Sequence, residues 1–201
     1  KIANEYKIPT FVLGVGLGGL IILNLLEKTE LPIEGILLFS PMLELKKDYK
    51  GRKNKLISNV GKISKDTRFK VGITPHDLTR NDEIIEETAN DGLMLKKVTY
   101  SWYNLINEKM KETMDHIRDI KPISALIMYG TKDKILETQS INEMKDKLKS
   151  KEMYFKVWDG LYHEIHNEPE RDLVMRYVLS FLNNSVNTMG FIVNEEEIED
   201  I

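Results

Sequence analysis

Two residues past the ends of predicted strands, and one glycine earlier in the chain, carry the chemistry this sequence can offer. Asp133 lies in Gly130-Thr131-Lys132-Asp133-Lys134-Ile135-Leu136, directly after the apolar run Ser124 to Tyr129. His163 lies in Asp159-Gly160-Leu161-Tyr162-His163-Glu164-Ile165-His166, directly after a second run, Met153 to Trp158. Open α/β sheets gather their reactive groups just beyond the carboxyl ends of their strands. An aspartate there can hold a histidine in one tautomer, and that histidine can take the proton of a hydroxyl attacking an ester carbonyl. The hydroxyl belongs on a sharp strand-to-helix elbow of the form G-x-S-x-G, whose centre is pushed out of the top of the sheet. Residues 11 to 26 supply such a frame: a buried strand, a glycine-tight turn and a buried helix, with Gly14, Gly18 and Gly19 at the small positions. Leu17 follows the centre and carries the backbone N–H that would face an oxyanion. The centre itself is Gly16, so the elbow has no nucleophile.

A competing reading of the same turn is a phosphate-cradling loop, because Gly14, Gly16 and Gly19 also satisfy G-x-G-x-x-G. That fingerprint asks for an acidic residue about 20 positions further on, at the end of the next strand. Here Glu34 precedes the strand Ile36 to Phe39, and Ser40-Pro41 follows it, which speaks against a dinucleotide site. His163, Glu164 and His166 lack the H-E-x-x-H spacing of a zinc protease, so no metal is expected, and the triad chemistry asks for no cofactor. His76 and His116 stand alone in the sequence and read as surface or cap residues.

Taken together, the Gly-Thr-Lys-Asp-Lys-Ile-Leu stretch, the Gly-Leu-Tyr-His-Glu-Ile-His-Asn-Glu-Pro-Glu-Arg run, the Leu-Phe-Ser-Pro at 38 to 41 and the Leu-Thr-Arg-Asn at 78 to 81 resemble bacterial monoacylglycerol lipases and lysophospholipases. The match runs over nearly all of residues 9 to 183, and the segment around His163 is its most specific part. The resemblance implies an α/β-hydrolase fold and a serine carboxyl-ester hydrolase acting on lipids with one acyl chain. It also implies strands ahead of the elbow strand, one of them leading to a turn that gives a second oxyanion N–H. The chain opens instead on what reads as the end of an amphipathic helix, so it is expected to hold the C-terminal part of the mostly parallel sheet, with the N-terminal strands missing. The elbow strand would then lie on an open edge, a site for pairing or aggregation. Gly16 departs from the family pattern, which has serine there.

Four segments follow from this reading. Residues 1–41 hold the elbow strand, its helix and the next strand; 42–121 form a helical cap insertion; 122–183 complete the core with the Asp133 and His163 loops; 184–201 are an acidic tail. The final helix is expected from about Asp172 to Leu182. Leu45 to Lys70 is rich in lysine and arginine, among them Lys46, Lys47, Lys50, Arg52, Lys53, Lys55, Lys62, Lys65, Arg68 and Lys70. Such runs are mostly solvated faces; with Leu56, Ile57, Val60, Ile63, Phe69 and Val71 interleaved, this one also offers a surface for peripheral contact with an anionic membrane. Ile84, Ile85, Met94, Leu95, Val98, Trp102, Tyr103, Leu105 and Ile106 recur at helical spacing. By the resemblance the cap covers an acyl pocket, which assigns Met94, Trp102 and Met110 to substrate binding, although each could equally pack the cap onto the sheet. Asp91-Gly92-Leu93 reads as a structural turn.

At 201 residues, 41% hydrophobic and 30% charged, with a mean hydropathy of −0.34, the chain suits one well-packed domain. A net charge of −3 gives no reason to expect nucleic acid as a partner. There is no cysteine, which excludes disulfides and a thiolate nucleophile and accords with a cytoplasmic setting. Three functions of different kinds fit: an esterase using another nucleophile such as Ser40 or Ser101, or a water activated by His163; a non-catalytic pseudoenzyme binding a lipid or a protein partner; and an ordinary hydrolase inactivated at Gly16. Loss of a triad nucleophile costs about a millionfold in kcat, so catalytic impairment is expected in each case where Gly16 is not bypassed.

Overall fold

The computed structural model describes residues 5–47, 49 and 66–188, with side chains through 184. In chain order the elements are β1 (Phe11–Val15), α1 (Leu17–Leu26), β2 (Gly35–Phe39), β3 (Arg68–Lys70), α2 (Pro75–Leu78), α3 (Asp82–Asn90), β4 (Lys97–Thr99), α4 (Tyr100–His116), β5 (Ser124–Gly130), α5 (Gln139–Lys147), β6 (Met153–Trp158) and α6 (Arg171–Thr188). Short 3₁₀ turns at Ile117–Asp119 and Ile165–Asn167 lie after α4 and before α6.

Four strands form a parallel sheet in the order β1-β2-β5-β6. Its centre is apolar because both faces are covered: every residue of β2 and β5 is buried. Alternation sorts those side chains by face. Ile36, Leu38, Ala125 and Ile127 join Leu20 and Leu23 of α1 and Ile141 and Met144 of α5 in one core cluster. Leu37, Phe39, Leu126 and Met128 meet Val174, Val178 and Phe181 of α6 in the other. Burying each such aliphatic or aromatic side chain contributes roughly 1.5–3 kcal/mol, so the central pair of strands is the firmest part of the frame. Register places Val15 opposite Phe39, Phe39 opposite Met128 and Gly130 opposite Trp158, which aligns the carboxyl ends from which the Gly16, Asp133 and His163 segments depart.

Among the described strands β1 pairs with β2. Leu13 is 49% exposed there, and Ile21 and Leu25 on α1 are also open to solvent.

The insertion departs from the purely helical expectation. β3 and β4 form a two-stranded antiparallel ribbon with Phe69 opposite Val98. Val98, which the sequence pattern assigns to a helical stripe, is buried in this ribbon, and Phe69 packs edge-on against Tyr103 at 5.4 Å between centroids. Three-residue strands are too short to show the alternation that would separate them from a helix. α6 is longer than expected, reaching Thr188. Most of the basic run, including Lys50 to Lys65, and the tail from 189 onward lie outside the described residues.

Candidate active site

β1 ends at Val15 and α1 starts at Leu17, so the chain reverses around Gly16 alone. Gly16 takes φ 52° and ψ −114°, a conformation that a residue with a Cβ holds only under strain of about 1–3 kcal/mol. Its amide donates to the Phe39 carbonyl at 2.9 Å, and its carbonyl accepts from Met42 N at 2.9 Å and from Gly19 N at 3.1 Å. The elbow geometry is therefore fixed by the end of β2 and the loop after it. Gly14 is needed for another reason: a Cβ there would lie 2.6 Å from the backbone of both Gly18 and Gly19. Gly18, by contrast, faces open space. Leu17 and Gly18 head a ten-residue helix that has no side-chain cap and no acidic residue in its first turn, leaving the positive end of its dipole uncompensated locally.

Asp133 is brought to this elbow by the loop closing β5. Its carboxylate is fully buried, with Oδ1 accepting from the amides of Ile135 at 2.8 Å and Leu136 at 2.9 Å, and Oδ2 facing His163 Nδ1 at 2.8 Å. Burial pushes this carboxyl up, but the His163 hydrogen bond and charge and the two amides outweigh it and hold the group below the ordinary carboxylate range. An ionised carboxylate only accepts, so His163 donates from Nδ1 and presents Nε2 on its other side. That nitrogen lies 3.1 Å from the point a Cβ on Gly16 would occupy. Gly16, Leu17, Asp133 and His163 thus come together, with the hydrogen-bonded Asp133–His163 pair facing an elbow without a hydroxyl.

The loop bearing His163 is held from several sides that sequence reasoning did not anticipate. At Gly130 a Cβ would lie 2.2 Å from the Leu161 carbonyl oxygen, so the loop packs directly on the end of β5. Ser40, completely buried and at φ 43°, donates its hydroxyl to the His163 carbonyl at 2.8 Å. This corrects the suggestion that Ser40 could act as a nucleophile, because its oxygen is committed to the backbone. The buried Glu168 accepts the Tyr162 amide at 2.8 Å and pairs with Arg80 Nε at 2.7 Å. The neighbouring Leu78 carbonyl accepts from Glu164 N, and Thr79 Oγ1 donates to the Asn167 carbonyl, both at 2.8 Å. Leu-Thr-Arg-Asn is therefore the segment that ties the insertion to the histidine loop. In the sequence it stood out only as one of the stretches that carry the resemblance, with Asn81 capping α3.

The remaining candidates are scattered. Met110 is buried in the core with Leu20 and Ile117, and with Leu43 and Met114 it lines a groove of about 420 Å³ beside α4. Met94 lies in the turn after α3, its amide donating to the Asp91 carbonyl, and Trp102 sits in the first turn of α4 beneath the Thr99 cap; both are half-buried. Asp91 caps its own turn through the Leu93 amide. Ser101 is exposed on α4, 3.1 Å from the Thr99 hydroxyl. His76 and His116 are exposed, the latter 3.0 Å from Asp119. His166 lies 6.1 Å from the Phe39 ring with its Nδ1 buried and unpartnered. Burial pushes His166 down, Glu164 opposes this, and His163 adds to it. No group of three or more metal-ligating side chains occurs among the described residues, and none of their helices is long and apolar enough to cross a membrane.

Comparison with known proteins identifies the family and the fold. A family model described as serine aminopeptidase, S33 matches residues 1–170. Phospholipase YtpA of Bacillus subtilis (strain 168) is 28% identical over 185 residues, which are 92% of this chain and 71% of that protein. A monoacylglycerol lipase of Mycolicibacterium smegmatis is 37% identical over 57 residues, 28% of this chain and 20% of that one. Among solved structures, a monoacylglycerol lipase of Paleococcus ferrophilus superposes with a TM-score of 0.80 at 23% identity, covering 92% of this chain and 72% of that one. A soluble variant of monoglyceride lipase from Saccharomyces cerevisiae, solved with a substrate analogue, gives 0.80 at 18%, covering 92% and 64%. With the fold shared and the family match running through both the elbow and the His163 loop, this chain belongs to the serine aminopeptidase S33 family and is a monoacylglycerol lipase- and lysophospholipase-like protein of the α/β-hydrolase fold.

Proposed function

We propose that this site is built for carboxylic esters of lipids with a single acyl chain, in the manner of a monoacylglycerol lipase or lysophospholipase, and that Gly16 leaves it catalytically impaired. The observation that carries this is the Asp133–His163 pair, whose Nε2 is aimed 3.1 Å from the missing Cβ of Gly16. In such a site Asp133 orients the imidazole and stabilises its protonated form, while Leu17 N–H faces the developing oxyanion. Glycine supplies no attacking oxygen. General base action of His163 on a water, worth roughly 10² to 10⁴-fold, would make a slow hydrolase at best. Of the acyl-side candidates, Met94 and Trp102 are half-buried and stay in this proposal, whereas Met110 packs in the core with Leu20 and Ile117. A second reading, a pseudoenzyme that binds without turnover, is favoured by the combination of an intact acid–base pair with an empty elbow.

The test is hydrolysis of p-nitrophenyl esters and monoacylglycerols by the parent, Gly16→Ser and His163→Ala. A His163-dependent activity created by serine supports the first reading. Turnover by the parent that His163→Ala abolishes would show that impairment is wrong and that a water or another nucleophile serves.

A further inference from the structure

The residues that flank Asp133 and His163 in the chain are themselves in contact. Lys134, which follows Asp133, holds its ammonium 4.0 Å from the centre of the ring of Tyr162, which precedes His163. The same ammonium donates to the carbonyl of His76 in α2 at 2.9 Å. The Tyr162 amide donates to Oε1 of the buried Glu168, whose Oε2 takes Arg80 Nε, while Arg80 Nη2 reaches Glu170. Thr79 and Leu78 add their bonds to Asn167 and Glu164. The run His76 to Arg80 thus lies against both loops, one through Lys134 and the other through Glu164, Asn167 and Glu168. It is stiffened at both ends: Thr74 donates its amide and its hydroxyl to Asp77 Oδ2 at 2.8 and 2.7 Å, and Asn81 caps α3 through the Glu83 amide at 3.1 Å.

We propose that Arg80 and Lys134 are positioning residues for His163, and that through them the His76 to Arg80 run acts as a strap keeping the imidazole on Asp133. That the pair then serves ester chemistry rests on the function proposed above; the strap itself rests on these contacts. Ser40 and the packing on Gly130 fix the histidine loop at the His163 carbonyl and at Leu161. The strap holds Tyr162 and the stretch from Glu164 to Glu168. Asp133 is secured separately, by Lys46 on its carbonyl and by the Ile135 and Leu136 amides on its carboxylate. Loss of the strap would therefore loosen the histidine half while the carboxylate stays in place. A reacting group has to be held within about 0.5 Å of its productive position, and misplacement by about 1 Å can cost about 10²-fold. The two cations contribute differently. Arg80 engages Glu168 and Glu170 at once, and without it the buried Glu168 that anchors Tyr162 has lost its counter-charge. Lys134 is a point charge whose ring contact and single hydrogen bond join the Asp133 loop to the histidine loop and to α2.

The experiment is proton NMR of the full 201-residue chain, following exchange with water of the His163 Nδ1 proton, assigned by its absence in His163→Ala. A ring that donates from Nδ1 carries this proton whether neutral or charged. Arg80→Met and Lys134→Met should each speed its exchange by at least about tenfold, and Arg80→Lys, which keeps a cation beside Glu168, should recover most of the protection. Met144→Ala is the control: it empties a buried core position away from the strap, so it should speed the amides of Leu126 and Ile127 in β5 and leave the His163 proton alone. In the Gly16→Ser background, Arg80→Met and Lys134→Met should lower kcat by about ten- to a hundredfold with KM nearly unchanged. Should Arg80→Met fail to fold, Lys134→Met, on an exposed contact, still decides. A His163 proton as protected in these variants as in the parent, one that responds equally to Met144→Ala, or one loosened with no fall in kcat would overturn the proposal. The ester reading fails separately: if Gly16→Ser hydrolyses no ester, that reading is lost, and the exchange of the His163 proton still decides the strap.

Discussion

Placing serine at position 16 should trade stability for activity, and both sides of the exchange follow from the elbow geometry. At φ 52° and ψ −114° a serine is held in a conformation that costs about 1–3 kcal/mol. Part of that, about 0.4–1 kcal/mol, returns because glycine's freedom in the unfolded chain is lost. The net destabilisation is about 1–2 kcal/mol, and for a domain of this size each kcal/mol lowers the midpoint by about 2–4 °C. Gly16→Ser should therefore melt about 2–8 °C below the parent. On the other side, supplying the nucleophile of a triad is worth up to about 10⁶-fold. The new Cβ would sit 3.1 Å from Nε2, so the imidazole must yield by a few tenths of an ångström, and misplacement of a catalytic group can cost up to about 10²-fold. A gain of about 10⁴-fold over the parent is expected, read as p-nitrophenyl ester hydrolysis beside a thermal melt. A folded Gly16→Ser protein with no gain, or with a gain that persists in Gly16→Ser/His163→Ala, would refute the reasoning.

Asp133 is held below the ordinary carboxylate range, so its stabilising effect is fully present above that range and is lost as pH falls through its lowered value. Asp133→Asn should reduce stability at pH 7 by about 2–3 kcal/mol and flatten the acid limb, as urea unfolding between pH 3 and 7 would reveal; parallel acid limbs would contradict it. Gly130→Ala would drive a Cβ into the Leu161 carbonyl, so we expect a loss of about 2 kcal/mol or more and, in the Gly16→Ser background, a fall in hydrolysis as the His163 loop lifts. Arg80→Met strands the buried Glu168 carboxylate; because Arg80 is 35% exposed the cost should be about 1–2 kcal/mol, less than for a wholly buried pair. Adding Glu168→Gln should recover part of it, and a thermal melt showing no recovery would assign the loss to the arginine's packing.

The four parallel strands were legible because the central ones are continuous apolar runs bounded by glycine, proline and charge, as in Gly35 to Phe39 between Glu34 and Ser40-Pro41. The meeting of Asp133 with His163 was legible from chain order, since each follows a strand at its carboxyl end. The ribbon of β3 and β4 was not, because its few residues sit among lysines and its one buried position, Val98, falls at a helical spacing from Leu95 and Trp102. Nor were the supports of the His163 loop. A buried carboxylate such as Glu168 looks in sequence like any surface glutamate, and its pairing with Arg80 spans 88 positions. Ser40 gave no hint of its positive φ, since serine rarely adopts one and only the packed site requires it.

The elbow and the histidine loop share one anchorage. The Phe39 carbonyl and the Met42 amide hold Gly16, and between them Ser40, at φ 43°, holds the His163 carbonyl. A shift of this short segment would carry position 16 and the imidazole in the same direction, so a common tether helps to keep their spacing. Ser40→Ala would cut the tether to the histidine half alone.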